Sequence, residues 1–476
     1  MSARVLYRFT RDLRLEDHAG LAQAAAIGEV VPVLVIDRLL EARLSRSPRR
    51  AAFFCGAVAS LDGALRERGA RLLVRRGTPS SVLKNIARAC GATGVAWSAA
   101  YDGEGAHSNE RLQSDLEEAG LRATIVHDAP VIPPEETAAV RAGGGSGYRA
   151  FSPYFDVWRT CEVASYEAPL LLRFASTDLQ SEPLPQPHDF GAPERMGESG
   201  GTAARETLDR FLAESAMQYS VAVNVPSDDR TSHLSGHLSF GTISPRTVVR
   251  ATRARMDDPF LLTEERASLR LFLRSIAMRD FFLQLGYFHP EVDEKPLQER
   301  MGRFSFARSH RALDAWRAGN TGYPLVDAGI RQLRETGWMH PHVRPVVASF
   351  LCFDLGVDWR VGRDEWDRFL VEDDPAIASG NWQWIAGVGA DLVQFPRIYN
   401  PEKQRRRYDP TGAYVKRWVK ELAHVPAGAL RASSESIDEQ LTLPLFSRDS
   451  YPRPVVDHET SAREFLARYR AYVEAQ

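Results

Sequence analysis

Over the first 130 residues, short β-branched apolar runs alternate with stretches whose apolar residues recur at helical spacing, and this alternation stops at Pro130. Arg4 to Phe9, Val30 to Asp37, Arg71 to Arg76, Gly94 to Ser98 and Arg122 to His127 read as strands. Arg49 to Arg68 and Pro79 to Cys90 read as helices between them. Strands separated by helices require crossover connections, so this part is predicted to form a doubly wound parallel α/β sheet. No GxGxxG opens the first helix, which argues against a standard dinucleotide site there.

From Pro130 to about Gly201 the pattern gives way to PP, GGGSG, PLPQP and ESGG clusters around one helical stretch, Tyr154 to Cys161. Such a segment reads as a long interdomain connection. From Thr202 onward helical periodicity dominates, with helices predicted over Leu261 to Tyr287, Arg308 to Arg317, Pro324 to Glu335, His342 to Leu355 and Gly362 to Leu370. The expected organisation is an α/β domain over 1–129, a linker over 130–201 and an all-α domain over 202–476.

Composition narrows the class. A hydrophobic fraction of 44% with 26% charged residues excludes disordered and collagen-like chains. The 60 basic and 62 acidic residues give a net charge of −2, so bulk charge supplies no argument for nucleic-acid binding. The longest apolar candidate, Val30 to Ile36, is interrupted by Pro32 and is far too short to span a bilayer. The opening MSARVLYRFTRD carries charges where a secretory signal is apolar, and a cytoplasmic monomer without membrane contact is expected. Four cysteines lie far apart without a CxxC, so buried thiols are expected and no metal site.

Trp316, Trp338, Trp359, Trp366, Trp382, Trp384 and Trp418 all fall in the helical part, where large aromatics usually form core. The stretch TSHLSGHLSFGTISP, Thr231 to Pro245, places small hydroxyl residues at a loop-to-helix start. Free backbone N–H groups and hydroxyls at such a start can hold a phosphate.

TSHLSGHLSFGTISPR, AWRAGNTGYPLVDAGIRQLRETGWMH, ASFLCFDLGVDWR, GNWQW and PRIYNPEKQ together resemble the photolyase/cryptochrome family of blue-light flavoproteins. FTRDLRLEDHAGL resembles that family's opening motif, with Arg8, Thr10 and His18 in place of the usual Trp, Arg and Asn. The resemblance covers essentially the whole chain and implies an α/β antenna-type domain and a helical domain that holds FAD. Tyr219, Thr231, Ser232, Leu234 and Ser235 are then expected at the FAD phosphates and ribityl chain. Phe272 stands where many members have Trp beside the cofactor, and Arg279, Trp338, Arg344 and Asp374 match positions around the flavin, with Glu372 in place of the usual Asp.

Photolyases transfer an electron from light-excited reduced FAD to a pyrimidine dimer flipped out of DNA. On the substrate side this chain departs from that pattern. Ser275 and Met278 stand where cyclobutane-dimer photolyases carry Glu and Trp, and Pro341 and Pro345 replace their Asn and Met, or the two histidines of 6-4 photolyases. His340 and His342 lie nearby, but at i, i+2 spacing they cannot share one helical face. Arg397 matches a phosphate-clamping arginine, whereas Val223 and His342 fall where two others stand; Lys403, Arg405, Arg406 and Arg407 offer a compensating basic rim.

The flavin side departs too. Ala378 occupies the position facing flavin N5, and a methyl group neither donates nor accepts a hydrogen bond, so a protonated neutral flavin radical loses its partner. The family's electron relay maps onto Trp382 and Trp359, but its outer position is Phe306, which is much harder to oxidise. YDGEGAH, Tyr101 to His107, lies where some relatives bind a folate, and an antenna chromophore of folate or deazaflavin type, a flavin and an empty structural cleft all stay open there. Three functions follow, of which the first two are a diverged FAD photoprotein serving signalling or a non-standard photoreaction, and a DNA photolyase for cyclobutane dimers with a rebuilt lesion pocket and damaged DNA as its partner. A dark electron-transfer or photobiosynthetic flavoenzyme is the third.

Overall fold

The computed structural model describes residues 3–140, 145, 147–166, 172–193, 198–307, 311–390, 396–431 and 451–475. Its sheet has five parallel strands, β1 (Arg4–Phe9), β2 (Glu29–Ile36), β3 (Leu73–Arg76), β4 (Ala92–Ser98) and β5 (Arg122–Val126), in the order β3-β2-β1-β4-β5. β1 and β2 bury nearly every residue, as strands covered on both faces must. The intervening helices are α1 (Ala19–Ile27), α2 (Arg38–Arg46), α3 (Pro48–Glu67), α4 (Pro79–Cys90) and α5 (Gly103–Glu118). Strand order reverses between β1 and β4, so their carboxyl ends form the switch point of the fold, where α/β proteins commonly bind ligands.

Pro32 is tolerated inside β2 because β3 begins pairing only at Val33. Beside it, Val30 bridges to Phe174, with the Val30 N–H on Arg173 O at 2.8 Å and the Ala175 N–H on Val30 O at 2.9 Å. The Gly/Pro-rich stretch after Pro130 is thus partly built into the sheet. It also contains α6 (Pro134–Ala139) and α7 (Phe151–Trp158).

The remaining helices are α8 (Gly201–Glu214), α9 (Tyr219–Ala222), α10 (Ser235–Ser239), α11 (Pro245–Met256), α12 (Thr263–Phe288), α13 (Leu313–Ala318), α14 (Pro324–Thr336), α15 (Arg344–Ser349), α16 (Trp359–Asp367), α17 (Pro375–Ala386), α18 (Pro401–Tyr408), α19 (Ala413–Trp418), α20 (Ala427–Arg431) and α21 (His458–Glu474). The single helix predicted over His342 to Leu355 is instead α15 continued by a wider π turn, Phe350–Asp354. α16 starts three residues before its predicted start because Asp358 caps it, accepting the Arg360 N–H.

By compactness the chain divides into two units. The first comprises Met1–Met217, Ser232–Asp293 and Val371–Ile377; the second comprises Gln218–Thr231, Glu294–Leu370 and Ala378–Gln476. The sheet unit therefore includes α8 and α10–α12. In it, Asp128 after β5 is gripped by Arg14 and Arg246, each at 2.7 Å, and accepts the Ala19 N–H at 2.9 Å. Burial pushes this carboxyl up, but Arg14, His18 and Arg246 hold it well below the ordinary carboxylate range. Arg14 of the opening motif, and Asp12, which accepts the Tyr7 and Ser98 hydroxyls, thus serve the architecture of the unit.

The second unit packs around Trp316, Phe350, Leu351, Trp359, Tyr414 and Phe465. Cys55, Cys90 and Cys352 are buried free thiols, whereas Cys161, expected buried, is partly exposed near the end of α7. Among the described residues no helix is long and apolar enough to cross a membrane.

Candidate functional site

The expected flavin positions divide between the two units. Ser232, Leu234, Ser235, Phe272, Arg279, Glu372 and Asp374 belong to the first; Tyr219, Thr231, Trp338, Arg344 and Ala378 belong to the second.

In the first unit, α12 presents Phe272, Ser275 and Arg279 at i, i+3, i+7, hence on one face, with Met278 beside them. Arg279 donates from Nη1 to Ala129 O at 2.6 Å and from Nη2 to Leu238 O at 3.1 Å. It therefore fixes the end of α10 against the loop that follows β5. Phe272 is buried, its ring 4.6 Å from that of Phe211. Ser275 is exposed and its hydroxyl donates to Leu271 O, one turn back, at 3.2 Å.

The loop before α10 holds His233 at φ 51°, a left-handed conformation that costs a non-glycine residue energy. Leu234, at the N-cap of α10, has no side-chain acceptor to offer the first turn. The first N–H groups of α10 thus lack the capping oxygen that Ser, Thr or Asp supplies. Together with the Ser232 and Ser235 hydroxyls, this donor set fits the phosphate of a dinucleotide cofactor.

Beside α10 runs the acidic segment Glu372-Asp373-Asp374. Asp373, which the sequence did not single out, donates its N–H to Ser239 Oγ of α10 at 2.8 Å. Three arginines of the sheet unit hold the segment. Arg50, fully buried, donates to Glu372 O at 2.7 Å and lies 3.8 Å from Asp373; Arg43 lies 3.9 Å from Asp373; Arg11 lies 3.4 Å from Asp374. Arg43 and Arg11 also pair with Asp102, which caps α5 by accepting the Gly105 N–H. Burial pushes Asp102 up, and Arg43 and Arg11 hold it below its ordinary value. α10, the acidic segment and the expected antenna stretch are thus joined through one polar network at the switch point.

In the second unit, Tyr219 is buried in α9, and the Thr231 hydroxyl donates to Asp229 at 3.5 Å. Trp338 follows the left-handed Gly337 that ends α14, and its ring meets His340 edge-on at 5.9 Å. Arg344 donates from Nε to Met339 O at 2.8 Å, which closes the intervening turn. Pro341 lies in that turn and Pro345 in the first turn of α15, both half-buried. His340 is fully buried and its Nδ1 accepts the His342 N–H at 3.3 Å. His342 is half-buried 5.1 Å from the Tyr408 ring, and burial with Arg407 nearby lowers its pKa.

The relay positions lie in this unit as well. Trp382 and Trp359 are both buried, and Gly362 lets α16 approach: a Cβ there would lie 2.2 Å from the Trp382 ring. Trp366, one α16 turn further on, packs against Trp382 at 4.5 Å between centroids. Its i+7 spacing from Trp359 is the sequence signal that could have found it. Arg360 and Arg363 stand over the Trp359 ring at 4.5 and 5.3 Å. Phe306 packs on Phe304 at 4.9 Å and on Phe465 at 5.8 Å. Ala378 is half-buried in α17.

Of the expected basic rim, Arg397, Lys403, Arg406 and Arg407 are exposed. Arg405 is not: it is 1% exposed and pairs with Glu402 at 3.3 Å, because the helical turn of α18 points it inward.

The profile of the DNA photolyase family matches residues 5–171, and that of the FAD binding domain of DNA photolyase matches residues 272–471. A deoxyribodipyrimidine photo-lyase of Halobacterium salinarum is 34% identical, over 98% of both chains. The crystal structure of a bacterial class III photolyase from Agrobacterium tumefaciens superimposes with a TM-score of 0.88 at 30% identity, covering 100% of this chain and 98% of that one. A cryptochrome of Synechocystis sp. PCC6803 gives 0.85 at 26% identity, over 98% and 99%. A parallel α/β sheet unit followed by a helical FAD-binding region defines a two-part flavoprotein. This chain belongs to the photolyase/cryptochrome family, and FAD is the cofactor its binding domain serves.

Proposed function

We propose that this chain is a blue-light FAD photoprotein with a diverged substrate pocket, whose electron transfer serves signalling or a non-standard photoreaction. The observation that carries this reading is Ser275: its hydroxyl is turned onto the Leu271 carbonyl of its own helix, where cyclobutane-dimer photolyases offer a carboxyl to the lesion. Met278 beside it cannot supply the aromatic stacking face, and Pro341 and Pro345 carry no side-chain donor.

FAD, when bound, absorbs blue light and exchanges one electron at a time. The chain's residues do the rest. Ser232, Ser235 and the first turn of α10 would receive the phosphates, and Thr231, Leu234 and Tyr219 are the further residues expected to hold the cofactor. Arg279 and Arg344 supply positive charge toward a reduced, anionic flavin, and Glu372 and Asp374 counter it. Phe272 and Trp338 would give apolar walls, Trp382 and Trp359 would pass electrons, and Ala378 would offer the flavin no hydrogen-bond partner. Residues 1–129 act as the antenna-type domain, 130–201 as the connection and 202–476 as the FAD-binding domain. An antenna chromophore of folate or deazaflavin type would be held near Tyr101 to His107.

The second reading, repair of cyclobutane dimers in damaged DNA, is favoured by the 34% identity to a deoxyribodipyrimidine photo-lyase and by exposed Arg397. Illuminating the reduced holoprotein with dimer-containing single- and double-stranded DNA separates the two. The primary reading requires most lesions to remain. Repair at the rate of a standard photolyase assayed alongside establishes the second.

A further inference from the structure

The sheet unit contains a hydrogen-bonded chain that none of the flavin-side residues uses. The phenol of Tyr101 lies 2.7 Å from Nδ1 of His127, and Nε2 of His127 lies 3.1 Å from Oε1 of Glu135. Tyr287, near the end of α12, donates its own O–H to the same carboxylate oxygen. The carboxylate sets the tautomer: Nε2 carries the hydrogen facing Glu135, and Nδ1 turns its lone pair to Tyr101. Each tyrosine therefore already faces a base. The rings also form a contiguous set, with centroids 5.8 Å apart for Tyr101 and His127, 5.2 Å for His127 and Tyr287, and 6.4 Å for the two tyrosines. The set runs from interior to surface, since Tyr101 is 1% exposed and Tyr287 37%.

A buried tyrosine commonly hydrogen-bonds simply to satisfy its hydroxyl. That accounts for one bond. It does not account for a second tyrosine in ring contact, provided with its own base and reaching solvent. The position of the inner end carries the case further. Tyr101 packs with Leu283 and Ala376. Leu283 lies one helical turn beyond Arg279, and Ala376 lies two residues before Ala378 on α17. Gly286 makes the approach possible, because a Cβ there would lie 2.1 Å from Tyr101 O and 2.7 Å from the Ala376 methyl.

The tryptophan route of the second unit is poorly placed to carry a positive hole outward. Its outer position is Phe306, and its middle member Trp359 has two guanidinium groups over its ring, which disfavour positive charge there even though Asp358 and Asp364 pair with them.

We propose that Tyr101 and Tyr287, with His127 and Glu135 as their proton acceptors, form a proton-coupled electron relay that supplies the light-excited flavin and delivers the oxidising equivalent to the surface of the sheet unit. The inference rests on the FAD photochemistry proposed above. One electron leaves Tyr101 for the excited oxidised flavin while the phenolic proton moves to His127 Nδ1, leaving a neutral tyrosyl radical and an imidazolium held by Glu135. Tyr287 then gives one electron to that radical. His127 returns its proton to Tyr101, and the proton of Tyr287 passes to Glu135. The net loss is one electron and one proton from Tyr287, which an external one-electron donor such as a thiol restores. Burial keeps the Tyr101 phenol protonated at rest; burial and Glu135 push that of Tyr287 up to about 12, so both protons leave only on oxidation.

The test uses FAD-loaded protein under a blue flash, with electron paramagnetic resonance on samples grown with ordinary and ring-deuterated tyrosine. The wild type should give a neutral tyrosyl signal that narrows on ring deuteration, and photoreduction should slow in D2O. Tyr101→Phe should abolish the signal and slow photoreduction about tenfold while FAD content and circular dichroism stay unchanged. Tyr287→Phe, at an exposed position and safe for folding, should leave a buried tyrosyl radical that recombines faster. An unchanged radical signal and rate in both variants would overturn the relay while leaving the flavin photochemistry standing. A wild type that takes up no FAD, or that binds it without photoreduction, would overturn both.

Discussion

The indole N–H of Trp158 donates to Oδ2 of Asp280 at 2.9 Å, joining two residues 122 positions apart. The same oxygen accepts the Val131 N–H at 2.7 Å and the Ile132 N–H at 3.4 Å. One buried carboxyl on α12 thereby holds both the start of the Gly/Pro-rich connection and the end of α7. Trp158→Phe should keep the apolar packing but lose one bond to a buried charged acceptor, costing about 1–3 kcal/mol. Urea unfolding checks this.

Burial pushes Asp280 up to about 6, with Arg279 and the three donors opposing the shift. The folded state then binds the proton more tightly than the unfolded one. The contribution of Asp280 is fully present below the unfolded value near 4 and is lost as pH rises through about 6. The wild type should therefore lose stability relative to Asp280→Asn between pH 4.5 and 7, measured as the difference in urea midpoints. A constant difference would show that Asp280 does not titrate in this range.

Gly362→Ala should destabilise the second unit by about 1–3 kcal/mol, because the added methyl would overlap Trp382. Trp382 must move or α16 must shift. Tryptophan fluorescence at a denaturant concentration well below the transition should change along with the midpoint.

With Ala378 in the wild type, blue light with reductant should not accumulate long-lived absorption of a neutral flavin radical at long wavelength. Ala378→Asn restores a hydrogen-bonding side chain worth about 0.5–1.5 kcal/mol, enough to raise that population by up to about tenfold. Persistent radical absorption in the wild type would contradict the assignment of this position.

Phe306→Trp should lengthen charge separation, since it puts an oxidisable ring at the expected outer position of the relay. The gain should be larger in a Tyr101→Phe background, where the sheet-unit route is removed. Transient absorption decay in the four combinations measures the coupling.

Much of this fold was legible because its signals are local. Period-2 and period-3.6 apolar patterns marked all five strands and helices such as α3, α4, α12 and α14. What was not legible depends on partners distant in sequence. Nothing near Trp158 announces Asp280, and nothing near Asp373 announces Arg43 or Arg50, so the connection looked loose and the acidic segment looked like flavin ligands alone. Arg405 read as part of a charge run because composition does not say which way a helical turn points. Trp366 was counted among core aromatics, and only the close approach allowed at Gly362 sets it against Trp382. The π turn after α15 is a packing outcome that no residue pattern in FLCFD specifies.

At the mouth of the sheet, where α/β proteins usually receive a flat ligand, the carboxyl ends of β1 and β4 meet Arg11, Arg43 and Asp102. Parting Arg43 from Asp102 leaves Asp102 with Arg11 and Arg43 with Asp373, each only at 3.9 Å, in place of the close pair. A guest bringing acidic groups of its own would find Arg11 and Arg43 already engaged and would have to displace Asp102, Asp373 or Asp374 from them. Which colours of light this chain could gather beyond those its flavin absorbs would then be decided by an ion-exchange equilibrium.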